Sequence, residues 1–274
     1  MTVLTVRALR LAAVLVVLMV PTGCGGSAAD SSGTSTSATG RITVRPATGT
    51  SSGSTALPSD ATLHTYFDGI ARGTLSSLAK AKPAAASGSP AAGYATYLEA
   101  AAQAVADSGH EVTSPAASAE VTHGDYRFCS GSSSGKVCYR YSDVTGADGK
   151  VVDFSVNGKP VGERVAVGTS GPVPASGVEG RAEFVAAFEA TATGNLFVAV
   201  RVEATGGDLA GVKATYGVAG SPSPSSRMAG PRTVDAGGAG SYVFAFPRAA
   251  LGGTLTLTMS GEAGATGTVG LTIR

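Results

Sequence analysis

From residue 181 to the C-terminus, apolar and polar residues alternate one by one in a series of short runs. Successive side chains of a β-strand point to opposite faces of a sheet, so this period of two predicts strands with one buried and one solvated face. Roughly six or seven such strands, separated by glycine-rich turns, predict an all-β sandwich of two antiparallel sheets over 181–274. The residues expected to face the core between the sheets are Phe184, Ala186, Phe188, Leu196, Val198, Val200, Val202, Val212, Ala214, Tyr216, Val218, Tyr242, Phe244, Phe246, Leu255, Leu257, Met259, Val269, Leu271 and Ile273.

Before residue 110, apolar residues recur at helical spacing in two stretches. Ser59 followed by Asp60 is typical of a helix start, because the serine hydroxyl caps free backbone amides and the acid complements the helix dipole. Ser89 before a proline repeats this signal. We therefore expect one helix that ends near Pro83 and a second that ends near Gly109. Their apolar positions are Leu63, Phe67, Ile70, Leu75 and Leu78 in the first, and Tyr94, Tyr97, Leu98, Ala101 and Val105 in the second.

The region after the helices carries signals for β-hairpins. Asp148-Gly149 and Asn157-Gly158 lie between alternating runs, and both dipeptides favour the two-residue type I′ turn. A loop rich in Ser and Gly lies further upstream, between two strand-like runs. Together these hairpins predict a four-stranded antiparallel meander over 125–168. With both helices on one face of it, the arrangement is an α+β domain.

The N-terminus has the organisation of an export signal. Arg7 and Arg10 precede an apolar run, 11–20, and residues 21–24 are Pro-Thr-Gly-Cys. This ending resembles the lipobox of bacterial lipoprotein signal peptides, in which a small residue precedes a cysteine. Position 21 departs from the family pattern, which usually has leucine there.

The resemblance implies that residues 1–23 are a signal peptide and that the Cys24 thiol is diacylated after cleavage. The acyl chains, palmitate among the expected ones, would hold the protein on the outer face of the cytoplasmic membrane, on the extracellular side. The proline at position 21 leaves ordinary cleavage nearby as an alternative. A retained membrane helix is a further alternative, although the apolar run 11–20 is well short of the roughly 20 residues that span a bilayer.

The chain contains three cysteines, and an odd number in an exported protein requires an explanation. Acylation at Cys24 would account for one of them and leave Cys129 and Cys138. These two lie in the strand-like runs on either side of the Ser/Gly loop, where a hairpin places them opposite each other. A disulfide bond is therefore expected, contributing about 2.5 to 3 kcal/mol in the chain-entropy model. Two free thiols are the alternative, which an oxidising compartment disfavours.

Composition divides the rest of the chain. Residues 24–56 contain Ser, Gly, Thr and Ala with few large apolar groups, so they are predicted to be a disordered tether. The α+β domain is assigned to 57–168, a Gly- and Pro-rich linker to 169–180, and the sandwich to 181–274. The usage of 39 Gly with many Ala and few Lys resembles that of proteins from high-GC actinobacteria.

The charge balance indicates which partners to expect. The chain has 20 Lys and Arg and 19 Asp and Glu, and removal of Arg7 and Arg10 with the signal peptide leaves 18 basic residues against those 19 acids. Nothing in this balance provides the basic field that attracts nucleic acid. The expected partners are the membrane, through the lipid anchor, and an unknown envelope protein or small ligand.

Two fold resemblances follow from these patterns. The hairpin pattern of 151–161 resembles that of NTF2-like and cystatin-like folds, which are cone-shaped and implied for the first domain. The pattern of 181–274 resembles immunoglobulin-like sandwiches, without the cysteine pair and tryptophan of true immunoglobulin domains. In a cone-shaped domain, five aromatic residues either fill the core or line a pocket: Tyr126, Phe128, Tyr139, Tyr141 and Phe154.

Sequence motifs for chemistry are weak. Residues 131–135 spell G-x-S-x-G but lie on the predicted hairpin turn rather than at a strand-to-helix elbow. His64, His110 and His123 are far apart, and none has metal-ligand spacing. An acid–base pair of His123 with Asp125 remains an alternative. We predict no catalytic, cofactor-binding or metal-binding residue, and we expect Glu163 and Arg164 to form a solvated pair.

Three function classes are consistent with these patterns. The favoured one is a non-catalytic binding or scaffold module of the cell envelope, anchored by lipid and not an enzyme. The alternative is an enzyme or small-ligand binder that uses a cavity in the first domain. A solute-binding lipoprotein of a transporter is disfavoured, because the chain lacks the alternating strand–helix pattern of two α/β lobes.

Overall fold

The computed structural model describes residues 57–111, 120–122, 125–132, 135–218, 221–261 and 264–274. All of them belong to one compact unit. The fold is mixed α and β and mostly β, with helices near the start and antiparallel strands in three sheets. The predicted signal peptide, Cys24 and the tether lie outside the described residues.

The first predicted helix is two helices. Helix α1, Asp60–Arg72, begins at Ser59, whose side chain accepts a hydrogen bond from the Thr62 amide at 3.2 Å. It ends at Gly73, which has a φ of 63° and thus turns the chain out of the helix. Thr74 then caps α2, Leu75–Ala81. The prediction of one continuous helix to Pro83 was wrong. Gly73 and the cap Thr74 separate two helices whose apolar residues have similar spacing.

Helix α3 confirms the second prediction. It spans Pro90–Asp107 after a short 3₁₀ turn, Lys82–Ala84. Ser89 caps it by accepting from the Ala92 amide at 3.2 Å, and Gly109 follows its end with a φ of 79°. Within the described part of the chain, the helices do not reach the length and apolarity that a bilayer crossing requires.

Five consecutive antiparallel strands form the meander sheet. Both predicted type I′ turns are confirmed, since Asp148 and Gly149 have φ of 51° and 72°, and Asn157 and Gly158 have φ of 52° and 75°. The predicted four strands over 125–168 were wrong at both ends, because an extra strand precedes them and 165–167 pairs with a different sheet. The strands are β1 (Glu120–Thr122), β2 (Asp125–Ser132), β3 (Gly135–Ala147), β4 (Lys150–Val156) and β5 (Lys159–Pro160).

Two further sheets pack face to face. The inner sheet has the order β12-β14-β9-β8-β6, with β7 also paired to β8. Its strands are β6 (Val165–Val167), β7 (Val173–Pro174), β8 (Gly180–Glu189), β9 (Leu196–Ala204), β12 (Ser226–Ala229) and β14 (Ala239–Phe246). The outer sheet has the order β11-β10-β15-β16, with β13 paired to β10. Its strands are β10 (Leu209–Val218), β11 (Ser221–Pro224), β13 (Thr233–Val234), β15 (Thr254–Ser260) and β16 (Thr266–Thr272).

The core between these two sheets contains most of the residues predicted for it. In β15 and β16 the apolar residues are buried, whereas Thr and Ser are partly or fully exposed, as the alternation predicts. Three of the predicted core residues are elsewhere. Val218 is 48% exposed at the end of β10, and Ala186 and Phe188 face the opposite side of the inner sheet.

A β-bulge explains the position of Phe188. The register of β8 against β9 shifts between Phe184 and Ala186, so one extra residue reverses the side-chain alternation. Phe184 therefore faces the outer sheet, and Phe188 faces the helices. The inner sheet is buried on both faces here, and the prediction of one polar face per strand was wrong for it.

Helix α3 lies between the meander sheet and the inner sheet. Helix α3 contacts β4 on one side and β6, β8 and β14 on the other. A single hydrophobic core joins Phe154 of the meander sheet with Phe188 and Val243 of the inner sheet. Residues of 57–168 and 181–274 thus share a core, and part of the predicted linker is the paired strand β7.

Candidate functional site

The five aromatic residues considered for a pocket lie where the meander sheet meets the helices. Tyr126, Phe128 and Tyr141 are buried, Tyr139 is partly buried, and Phe154 is 1% exposed. The register places Tyr126 opposite Tyr141 and Phe128 opposite Tyr139, so these four side chains share one face of the β2–β3 hairpin. That face is the one that the helices cover.

These rings belong to a larger cluster, which we call the aromatic layer. Phe67 of α1 is at its centre, stacked on Tyr126 with ring centroids 4.3 Å apart. The Tyr141 and Phe154 rings each have centroids 5.4 Å from that of Phe67. Such separations are those of aromatic rings in contact. The members of the aromatic layer are Tyr66, Phe67, Tyr94, Tyr97, Tyr126, Tyr141, Phe154 and Phe188.

Helix α3 extends the aromatic layer to the inner sheet. The Tyr94 ring lies 5.6 Å from Phe154 of the meander sheet and 4.8 Å from Phe188 of the inner sheet, centroid to centroid. Tyr97 contacts Phe188 from the next helical turn, at 5.6 Å. The interior around the positions considered for a pocket is therefore occupied by packed rings from three layers of the fold.

Hydroxyl groups are present within this apolar interior. The Tyr66 hydroxyl donates to the Ala91 carbonyl at 2.8 Å. Burial raises the pKa of Tyr66, Tyr94, Tyr97 and Tyr141 well above the usual tyrosine value. It raises the pKa of the partly buried Tyr139 to about 12. These hydroxyls are therefore neutral at physiological pH and cannot act as bases there.

We expect the free energy of unfolding to decrease as the pH rises above 10, the ordinary pKa of tyrosine. The folded chain holds the tyrosine protons more tightly than the unfolded chain, so this contribution is complete below pH 10 and is lost above it. Denaturant unfolding at several pH values would measure the decrease. In the variant Tyr97→Phe the decrease should be shallower, by up to about 1.4 kcal/mol per pH unit. Identical slopes for the two proteins would contradict the expectation.

The opposite face of the β2–β3 hairpin carries the disulfide bond. Cys129 and Cys138 are directly opposed in the register, with Cα atoms 4.0 Å apart, and both are half-buried. The predicted bond is thus present in the structure. The neighbouring pair on this face is Arg127 and Arg140, which are also directly opposed, and both are exposed.

The two arginines have different partners. Arg140 donates from Nε to the Asp125 carboxylate at 2.7 Å and forms an ion pair with it. Arg127 instead donates from Nη2 to the sulfur of Cys138 at 3.7 Å. We call the disulfide with these arginines and Asp125 the disulfide face. Among the described residues, it is the one place where we find charged side chains clustered around a chemically reactive group, the disulfide bond.

The other residues considered for chemistry do not converge. His64 and His110 are exposed, and the His64 ring contacts the edge of Tyr126 at 5.7 Å. His123 lies outside the described residues, as do parts of the 131–135 motif, so the proposed pairing of His123 with Asp125 stays a prediction. The described residues contain no group of three or more His, Cys, Asp and Glu side chains that could hold a metal ion.

The pair expected between Glu163 and Arg164 was wrong. Arg164 donates from Nε to the Glu189 carbonyl at 2.8 Å and lies 3.7 Å from the Glu189 carboxylate. Its side chain is only 11% exposed, because the chain after the meander sheet passes alongside β8. Arg164 therefore ties the start of the inner sheet to the end of β8, a contact that sequence neighbours do not reveal.

An open depression of about 430 Å³ lies between α1 and the β3–β4 turn. Its walls include Thr62 and Thr65 from α1 and Lys80 from α2, with Asp148 and Lys150 from the turn. It contains no buried polar group among these residues, since all are exposed or partly exposed. It has the character of a surface groove between elements.

Comparison of the chain with protein-family models, with curated proteins and with solved structures returns no match. The function is therefore inferred from the residues and their geometry.

Sequence reasoning missed the arginines of the disulfide face. The signal was available in the alternation itself: Arg127 is two residues before Cys129, and Arg140 is two residues after Cys138. In a hairpin that opposes the cysteines, both arginines must lie on the cysteine face. What the pattern does not reveal is that only Arg127 reaches a sulfur.

Proposed function

We propose that this chain is a lipid-anchored extracytoplasmic protein of the bacterial envelope that acts as a non-catalytic binding or scaffold module. The observation that carries the proposal is the bond between Cys129 and Cys138, at directly opposed positions of β2 and β3. Structural disulfides persist in oxidising compartments and are rare in the cytosol. This supports the export implied by residues 1–24, which end in the lipobox-like Thr-Gly-Cys.

The filled interior supports a binding or scaffold role. An enzyme or small-ligand binder of the cone type requires space among the aromatic residues of the meander sheet, whereas the Phe67 ring is in contact with those of Tyr126, Tyr141 and Phe154. Partners of such a module would bind at its surface. We also propose that the helices with the meander sheet resemble an NTF2-like or cystatin-like fold. The two-sheet sandwich is proposed to resemble an immunoglobulin-like fold.

The surface ion pairs fit the same role. Arg181 hydrogen-bonds to Glu203, and this contact lowers the pKa of the Glu203 carboxyl, to which Arg201 also donates. Lys82 pairs with Glu99 on the helical side. The arginines beside Glu203 favour its ionised form, which suits a hydrated surface better than proton transfer.

Replacement of Cys24 by alanine tests the anchor. Without the thiol that carries the acyl chains, the protein should move almost completely from the membrane fraction to the medium, because two acyl chains supply the affinity for the bilayer. Fractionation with immunoblotting measures the distribution, and labelled palmitate should be incorporated only when Cys24 is present. The double variant Cys129→Ala/Cys138→Ala is the matched control and should remain with the membrane. A Cys24→Ala protein that stays in the membrane fraction contradicts the proposal.

A further inference from the structure

The disulfide between Cys129 and Cys138 lies on the solvent side of the meander sheet. The aromatic residues that alternate with the cysteines point to the helices, whereas Arg127 and Arg140, two residues from the cysteines on their own face, are exposed. The Arg140 side chain is 64% exposed. A thiol from outside therefore approaches the bond from the face that carries the arginines.

The surroundings of the two sulfurs make the bond asymmetric. The Arg127 guanidinium donates to Cys138 Sγ at 3.7 Å in an exposed position. Arg140 is held by Asp125, which accepts from its Nε and pairs with its guanidinium. A cation that donates to a sulfur stabilises the thiolate of that sulfur, and the more stable thiolate is the better leaving group in thiol–disulfide exchange.

We infer that the Cys129 sulfur is a site of modification by external thiols, with Cys138 as the leaving group. A thiolate attacks Cys129 Sγ, a sulfur–sulfur bond forms there, and the bond between Cys129 and Cys138 breaks. Its electron pair goes to Cys138 Sγ, which becomes a thiolate hydrogen-bonded by Arg127. The product is a mixed disulfide on Cys129 and a free thiolate on Cys138.

A second thiol can complete the reduction. Its thiolate attacks the external sulfur of the mixed disulfide, a disulfide of the two external thiols forms, and Cys129 leaves as a thiolate. Two thiols are oxidised, the protein disulfide gains two electrons, and two protons reach the cysteines. The ligand class is thus a low-molecular-weight or protein thiol. The remaining strand pairing of β2 with β3 and the aromatic layer keep the hairpin attached to the body.

The test uses the full chain, incubated briefly with reduced glutathione at pH 8, quenched with acid and alkylated. Cleavage after Lys136 separates Cys129 and Cys138 into different tryptic peptides, so mass spectrometry assigns each adduct. We expect glutathione on Cys129 and the alkyl label on Cys138, with a preference of at least about fivefold. Equal adducts, or a preference for Cys138, would overturn the inference.

Two variants distinguish the contact of Arg127 with the Cys138 sulfur from a general effect of positive charge on this face. Arg127→Gln should slow the opening of the bond about threefold or more and reduce the preference toward equality. Arg140→Gln removes the same charge from the same face but not the contact with sulfur, so it should retain the preference. Equal effects of the two variants would contradict the role of Arg127. Circular dichroism melting shows whether each variant is folded. If Arg127→Gln does not fold, Arg127→Lys replaces it in the test. This variant retains the cation and should keep part of the preference for Cys129.

Discussion

Replacement of Phe67 by alanine is expected to lower the free energy of unfolding by about 3 to 5 kcal/mol, the cost of removing a fully buried aromatic side chain. Phe67 is 0% exposed, and its ring contacts those of Tyr126, Tyr141 and Phe154. The cavity left by the substitution would lie between α1 and three strands of the meander sheet. Denaturant unfolding followed by circular dichroism measures the loss.

The matched control for Phe67 is Val218→Ala. Val218 is 48% exposed at the end of β10, outside both cores, so its truncation should change stability by less than about 0.5 kcal/mol. If Phe67→Ala cost no more than this control, the aromatic layer would not be a packed core. That result would restore a cavity in this region as a working hypothesis.

Replacement of Gly168 by alanine is expected to destabilise the fold by about 2 to 3 kcal/mol through steric overlap. A Cβ atom at Gly168 would overlap the carbonyl oxygen of Phe184, beside the bulge in β8. The Gly168 amide also donates to the Val185 carbonyl at 2.9 Å, so the backbone cannot move away without losing that bond. Thermal unfolding of the variant and the parent protein measures the effect.

Gly171 provides the control three residues further on. A Cβ at Gly171 has no neighbour within 4 Å among the described atoms, and the residue is exposed. Gly171→Ala should therefore be neutral or stabilising by up to about 1 kcal/mol, because alanine restricts the unfolded chain. Equal stability of the two alanine variants would show that the crossing from the meander sheet to the inner sheet is not packed as described.

Gly168 also shows why the regions 57–168 and 181–274 are not easily separated by sequence. Its neighbours on the N-terminal side, Val165–Val167, already pair with β8, and Val173–Pro174 pair with the other end of that strand. Composition identifies residues 169–180 as Gly- and Pro-rich, which is typical of a linker. Hydrogen bonds to a strand that comes later in the chain convert it into part of a sheet.

Local signals were sufficient for many elements. Ser59 and Ser89 cap helices because a side-chain oxygen satisfies backbone amides within the same turn. Asn157-Gly158 forms the predicted turn because both residues accept a positive φ. The opposition of Cys129 and Cys138 follows from a hairpin between adjacent runs. Each of these depends on residues close in sequence.

Predictions that needed distant partners were incomplete. Phe188 was expected between the two sheets of the sandwich, yet the bulge before Ala186 turns it toward Tyr94 of α3. The pairing of Arg164 with Glu189 depends on β6 lying beside β8, and the burial of the inner sheet on both faces depends on where α3 lies. The alternation of apolar and polar residues predicts which side chains are buried, but not which layer of the fold covers them.

The amino-acid sequence by itself determined the caps, the turns, the alternation of the outer sheet and the opposition of the two cysteines, because backbone geometry and nearest neighbours decide these features. Only the tertiary structure decided that α3 lies between two sheets, that aromatic rings fill the space once considered a pocket, and that Arg127 rather than Arg140 reaches the Cys138 sulfur. The physical reason is that burial and ion pairing depend on which distant surfaces pack together. A short apolar or basic pattern is compatible with several such packing arrangements.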